Sequence, residues 1–147
     1  MKDSDIGLAA TAREWFTYAE EDLGVATREL EYAQPAFHTV CFLCQTAAEK
    51  FLKGYLIAQG WRLQRTHDIV ALLQMCTEYS PDWSELVTEG AILNEYITTG
   101  RYPSDIVFER IGRSEALEAL RAAKRISEYT RKLTSNGRSS QTQNPGN

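Results

Sequence analysis

Apolar side chains recur at alternating spacings of four and three residues near the N-terminus, and this spacing restricts the fold more than any other feature. Seven residues of the segment 12–33 follow it: Ala12, Phe16, Ala19, Leu23, Ala26, Leu30 and Ala33. Residues spaced in this way share one face of an α-helix. The segment therefore predicts an amphipathic helix, which Pro35 should end because proline disfavours a helical residue before it.

A second predicted helix runs from about Ala36 to Gln59 and is apolar around most of its circumference. A helix of that kind belongs in the centre of a bundle. Gly60 follows as its C-terminal stop. The pair Cys41 and Cys44 lies inside this helix, so we predict that both pack in the core and form neither a redox pair nor a zinc site.

Three further helices complete the pattern. Their boundaries are marked by Thr66 or Asp68 before the third, Ser80-Pro81 and Gly100 at the two ends of the fourth, and Ser114 before the fifth. Such residues are typical of helix caps, first turns and C-terminal stops. No segment favours a strand, so the sequence predicts an all-α fold, an antiparallel up-and-down bundle of about five helices.

The 147 residues correspond to a single domain. We predict a flexible N-terminus at 1–10, the helical bundle at 11–134 and a disordered polar tail at 135–147. No apolar run approaches the roughly 18 residues of a membrane helix. The polar N-terminus and the presence of only three cysteines favour a cytoplasmic protein.

The second helix also carries a polar line. Gln45, Glu49 and Lys53 are spaced by four residues and therefore stack on one face. Charges on a helix this apolar lie close to the core and must pair, so a Glu49–Lys53 salt bridge is one interpretation. The other is a polar groove for an anionic ligand. The net charge of −4 argues against a general binder of nucleic-acid backbones, although a local basic surface stays open.

Two further segments carry residues suited to phosphate chemistry. Arg62, Arg65 and His67 precede the third helix, where they would hold a phosphate with the help of the helix N-terminus, or cleave RNA with His67 as general base. Alternatively, His67 simply packs at a turn. Arg101 and Tyr102, followed by a proline, would clamp a phosphate and stack a base, or form a rigid corner.

We expect Arg101 to pair with Glu49, and this pairing would bring Tyr102 and Lys53 into one polar patch at the bundle surface. The chain should also form a homodimer. Its second helix has more apolar surface than a small bundle easily buries, and Tyr55, Trp61 and Trp83 add apolar surface near helix ends.

Together these segments resemble the HEPN domain family, named for nucleotide binding in higher eukaryotes and prokaryotes. The motifs that carry the resemblance are, in chain order, Trp15…Ala19…Asp22-Leu23, then Gln45-x-Ala47-Ala48-Glu49-Lys50-x-x-Lys53, then His67-Asp68-Ile69, and then Tyr96…Arg101-Tyr102-Pro103. The resemblance covers roughly residues 11–133. The resemblance implies an up-and-down helical bundle, often dimeric, which in many relatives acts with a minimal nucleotidyltransferase, in some as a toxin–antitoxin pair.

On this resemblance we expect a nucleotide- or polynucleotide-binding module without its own catalysis, without cofactor or metal, and with possible nucleotide or RNA ligands. The expected ligand contacts are Glu49, Lys50, Lys53, His67, Arg101 and Tyr102. One alternative is a metal-independent ribonuclease toxin that uses Arg62, Arg65 and His67. Nuclease relatives carry Arg-x4–6-His late in the chain, whereas here that spacing occurs earlier, between Arg62 and His67. The other alternative is a structural helical adaptor.

Overall fold

The computed structural model of the protein describes residues 3–97 and 111–142, with side chains over 5–97 and 111–134. Within these ranges the chain is helical and contains no strand, which confirms the predicted all-α fold of about five helices. The elements are α1 (Asp3–Glu29), α2 (Phe37–Ala58), α3 (Ile69–Thr77), a 3₁₀ helix (Pro81–Leu86), α4 (Val87–Asn94) and α5 (Arg113–Thr142).

Helix α2 lies at the centre of the bundle, as its apolar circumference predicts. α1 packs along one side of it and α5 along another, while α3 and α4 cover the remainder. Phe51 and Leu56 are fully buried, and so are Cys41 and Cys44, which confirms that this cysteine pair packs in the core. Gly54 permits the close approach of α1, because a Cβ atom there would lie 2.6 Å from the Phe16 ring.

The aromatic residues expected at a dimer interface are instead part of the core. Trp83 is fully buried, with its ring 5.0 Å from that of Tyr55 and 5.2 Å from that of Tyr129. Tyr55 is 7% exposed, and Trp61 is partly buried against the core. A single chain therefore covers α2, and the argument for a homodimer from α2 is wrong, although the homodimer itself stays a prediction.

Helix α1 is displaced toward the N-terminus from its predicted position. It begins at Asp3, inside the segment 1–10 that the sequence predicts as flexible, and it ends at Glu29, six residues before Pro35. The earlier end coincides with a contact across the loop between α1 and α2: the carboxylate of Glu29 accepts a hydrogen bond from the Ala36 backbone N–H at 3.0 Å, and the intervening residues form turns. At the other end of the chain, α5 continues to Thr142, past the predicted boundary at 134.

The predicted fourth helix is divided into two elements. Residues 81–86 form the 3₁₀ helix, whose period of three places both Trp83 and Leu86 in the core. α4 follows and ends at Asn94, well before Gly100, which lies outside the described residues. Ser80 occupies the predicted N-cap position and Pro81 the first turn, although the Ser80 side chain makes no capping hydrogen bond.

The predicted start of the fifth helix is two residues late. Arg113 is already helical, and the Glu115 carboxylate accepts a hydrogen bond from the Gly112 backbone N–H at 3.2 Å, so Ser114 lies inside the helix and does not cap it. The stop at Gly60 is confirmed, since this residue has a φ of +94°, a conformation that glycine adopts without strain. Over the described ranges, every helix is too short or too polar to span a membrane.

Candidate functional site

The polar line of α2 forms a cluster at the inner edge of the bundle. Nζ of Lys53 lies 3.1 Å from Oε2 of Glu49, which confirms the predicted salt bridge. Lys53 is only 4% exposed, and the Glu49 side chain is 13% exposed. Two charges this deep must compensate each other, because removing either from water costs several kcal/mol.

His67 extends this cluster to the surface. Its Nδ1 atom lies 2.7 Å from Oε1 of Glu49, and its backbone carbonyl accepts a hydrogen bond from Nε2 of Gln45 at 3.1 Å. A carboxylate can only accept, so Nδ1 is a donor in this contact. The imidazole side chain is 53% exposed. Gln45, Glu49, Lys53 and His67, hereafter the polar cluster, therefore connect a buried ammonium to a ring that solvent and ligands can reach.

Arg62 and Arg65 lie on the same connection between α2 and α3 as His67. Both are exposed, and no described residue forms an ion pair with either of them. Their guanidinium groups remain available to an anion. The α2–α3 connection thus presents two guanidinium groups and one imidazole to solvent within six residues of chain.

The N-terminus of α3 is fully occupied by the protein itself. The Asp68 carboxylate accepts from the Ala71 N–H at 3.0 Å, Oγ1 of Thr66 accepts from the Asp68 N–H at 3.2 Å, and Oδ1 of Asn94 accepts from the Ile69 N–H at 2.7 Å. The bond from Ala71 holds the pKa of Asp68 below its usual value. Asp68 is therefore the cap, as one alternative predicts, and the interpretation of this helix N-terminus as a phosphate site is wrong.

Lys50 lies on a different face of α2 from the polar cluster. Its Nζ is 2.6 Å from Oδ2 of Asp22 on α1, and Oγ1 of Thr46 donates to the same oxygen at 3.0 Å. One residue along a helix is a rotation of about 100°, so Lys50 cannot share the direction of Glu49. Lys50 joins α1 to α2, while Lys53 is too deeply buried to reach a ligand at the surface.

Three residues remain to be placed: the predicted ligand contacts Arg101 and Tyr102, and Asn94, which the sequence analysis missed. Arg101 and Tyr102 lie outside the described residues, so their predicted position beside Glu49 stays a prediction. Asn94 was not indicated by the sequence. Asn94 is the last residue of α4, and no local sequence pattern predicts that its side chain reaches the first turn of α3.

The three cysteines are poor candidates for chemistry. Cys41, Cys44 and Cys76 are buried and free, and burial raises the pKa of Cys41 to about 12 and those of the other two above that of an ordinary thiol. Thiols in this state are weak nucleophiles. Within the part of the chain that the structure describes, no three His, Cys, Asp or Glu side chains form a group that could hold a metal ion.

Comparisons with known proteins agree on one family. The family model described as HEPN domain matches residues 12–133. The crystal structure of TT1696 from Thermus thermophilus is similar over 82% of this chain and 96% of that one, with 30% sequence identity and a TM-score of 0.72. The crystal structure of ST0689, described as an archaeal HEPN homologue, is similar over 83% of this chain and 96% of that one, with 26% sequence identity and a TM-score of 0.67. No curated protein matches the chain.

Proposed function

The chain belongs to the HEPN domain family, and from this premise we propose that it is a nucleotide- or polynucleotide-binding module without catalysis of its own. It acts in the cytoplasm together with a minimal nucleotidyltransferase. The observation that carries the binding role is the exposed set Arg62, Arg65 and His67 on the α2–α3 connection, of which His67 contacts the partly buried Glu49.

The chemistry of these three side chains suits phosphate groups. Each guanidinium offers a planar fork of N–H donors that matches two phosphate oxygens, and such charge-assisted hydrogen bonds are about twice as strong as neutral ones. The set is small and the whole chain carries a net charge of −4. A nucleotide or a few nucleotides of single-stranded RNA therefore fit better than a long duplex, whose binding scales with many phosphate contacts.

The buried members of the polar cluster act indirectly. Glu49 receives hydrogen bonds from Lys53 and His67, so it anchors the imidazole at a fixed place. A group that is already fixed loses less conformational entropy when a ligand binds. Glu49 and Lys53 therefore support the ligand site from below and do not contact the ligand.

The binding role is tested by calorimetry with ATP and with a short single-stranded RNA. The double variant Arg62→Ala/Arg65→Ala should weaken binding at least about tenfold, because it removes two charge-assisted contacts. The matched control Arg13→Ala/Arg28→Ala removes the same charge from exposed positions on α1 and should bind like the wild type. The proposal fails if the wild type binds neither probe, or if both double variants weaken binding equally.

The partnership with a nucleotidyltransferase rests on family membership. It is tested by coexpressing the chain with a minimal nucleotidyltransferase encoded in the same genome and measuring the mass of the purified complex by light scattering. We expect a stoichiometric complex. A chain that elutes alone from such a coexpression would count against the partnership.

We also propose that the chain forms a homodimer, on different grounds from those that the sequence offered. Tyr18 and Val25 are 60% and 39% exposed and lie seven residues apart, on one side of α1. Apolar residues at this spacing form a line along a helix. Light scattering should give twice the chain mass at micromolar concentration, and Tyr18→Glu should halve it. A wild-type monomer would end this proposal.

One observation favours the ribonuclease as a second candidate. A carboxylate on Nδ1 of a histidine is the arrangement that orients an imidazole for general-base work at Nε2, and Glu49 provides it for His67. Cleavage of RNA in the presence of EDTA, lost in His67→Gln, would favour this candidate. RNA binding without RNA cleavage would contradict the ribonuclease and favour the binding module.

A further inference from the structure

We propose that Asn94 is a positioning residue for this site: together with Gln45 it holds the backbone of His67 and Ile69 and the side chain of Asp68, and thereby determines where the His67 imidazole lies. The inference rests on the proposed function, because that function has the His67 imidazole contact a bound ligand. It concerns residues that lie outside the set of groups expected to touch a ligand.

The side chain of Asn94 uses both halves of its amide. Oδ1 accepts a hydrogen bond from the Ile69 backbone N–H at 2.7 Å, and Nδ2 donates to Oδ1 of Asp68 at 2.8 Å. Few side chains of this length offer one acceptor and one donor at adjacent atoms. An aspartate could still accept from Ile69 but would place a second carboxylate against Asp68, and an alanine would make neither bond.

Gln45 holds the preceding residue from the opposite side. It is 1% exposed on α2, and its amide donates to the backbone carbonyl of His67 at 3.1 Å. A buried amide that loses its hydrogen-bond partner is costly, so this bond should persist. Three consecutive residues, 67 to 69, are therefore held by side chains from two helices that are distant in sequence.

This attachment is unusual for a connecting segment, because connections generally move more than the helices they join. Here residues 67–69 are held in place, while Arg62 and Arg65, which precede them in the α2–α3 connection, have exposed side chains without ion-pair partners among the described residues. The imidazole is thus held at one position, whereas the two arginine side chains can change conformation to contact a phosphate. Loss of Asn94 should release His67 from Glu49 for part of the time.

Nuclear magnetic resonance of the imidazole rings tests this directly. The chain contains two histidines, His38 and His67, so two sets of ring signals are expected and His38 reports any general change of the fold. Asn94→Ala should shift or broaden the His67 signals. It should also weaken ATP or RNA binding about tenfold, the size expected for one buried hydrogen bond.

Two further variants make the test decisive. Asn94→Asp keeps the acceptor for Ile69 and should perturb His67 less than Asn94→Ala, which provides a second variant if the alanine protein is poorly folded. Gln74→Ala changes an exposed amide on α3 and should leave both the His67 signals and the affinity unchanged.

The outcomes distinguish this inference from the proposed function. A lower melting temperature with unchanged His67 signals in both Asn94 variants would show that Asn94 only braces α3 against α4, and it would overturn the inference. If the wild type binds no nucleotide, the proposed function fails, while the His67 spectrum still decides whether Asn94 positions the ring.

Discussion

The Nδ1 atom of His67 lies 2.7 Å from Oε1 of Glu49. The other oxygen of the same carboxylate lies 3.1 Å from the buried ammonium of Lys53. One glutamate therefore bridges a charge inside the bundle and a ring at its surface. The stability of the core and the geometry of the candidate site both depend on this residue.

We expect Glu49→Leu to destabilise the protein by about 3–5 kcal/mol, because it leaves the Lys53 ammonium buried without a counter-charge. The double variant Glu49→Leu/Lys53→Met should recover much of that loss, since it removes both charges and keeps an apolar volume. Guanidinium unfolding of the two variants and the wild type measures this. A double variant less stable than Glu49→Leu alone would contradict the expectation.

We expect Gly54→Ala to destabilise the protein by about 1–3 kcal/mol, the usual cost of overpacking a core. The new Cβ would lie 2.6 and 2.9 Å from two carbons of the Phe16 ring and 3.0 Å from Cβ of Trp15, so α1 would have to move. Gly7→Ala is the matched control. Nothing lies within 4 Å of its added Cβ, and it should stabilise α1 by about 0.5–1 kcal/mol. Thermal unfolding curves with opposite shifts would verify both.

We expect Asp68→Ala to cost about 1 kcal/mol at neutral pH, a typical value for the loss of a helix cap. The pKa of Asp68 is lowered in the folded state, so its stabilising contribution is complete above the ordinary value of 3.8 and is lost as the pH falls below it. The difference between wild type and variant should therefore shrink in acid. Unfolding measured at pH 7 and at pH 3 gives the two values, and a difference that grows in acid would contradict this account.

We expect the three thiols to resist modification in the native protein. Burial raises the pKa of Cys41 to about 12 and shields all three sulfurs, so a disulfide reagent at pH 8 should react with none of them quickly and with all three after unfolding. Cys41→Ala/Cys44→Ala should lower stability and leave nucleotide binding unchanged. Stoichiometric zinc in the purified protein would contradict the packing role.

Contacts within one helix could be predicted from the sequence, and contacts between helices mostly could not. The Glu49–Lys53 salt bridge follows from a spacing of four residues, which places two side chains together on any α-helix. Lys50 directly follows Glu49 in the sequence, yet its partner is Asp22, 28 residues away on α1. That pairing depends on how α1 docks on α2, which the spacing does not specify.

The helix ends show a similar division. Gly60 was predicted as a stop, and Asp68 was one of the two residues predicted as a cap, because these effects are local: a glycine adopts a positive φ without strain, and an aspartate caps the N–H groups that follow it. The end of α1 and the 3₁₀ helix were missed. The end of α1 depends on the hydrogen bond that the Ala36 N–H donates to the Glu29 carboxylate. The 3₁₀ helix depends on the burial of Trp83 against rings from two other elements.

By itself, the sequence determined the all-α fold, the central position of α2 and the pairing of Glu49 with Lys53, because periodicity and short-range spacing act before the chain folds into its tertiary structure. Only the tertiary structure decided that His67 joins this pair, that Lys50 faces away from it, and that Asn94 reaches the first turn of α3. The physical reason is that these contacts join separate elements, and a side chain finds such a partner only after the apolar faces of the helices have packed.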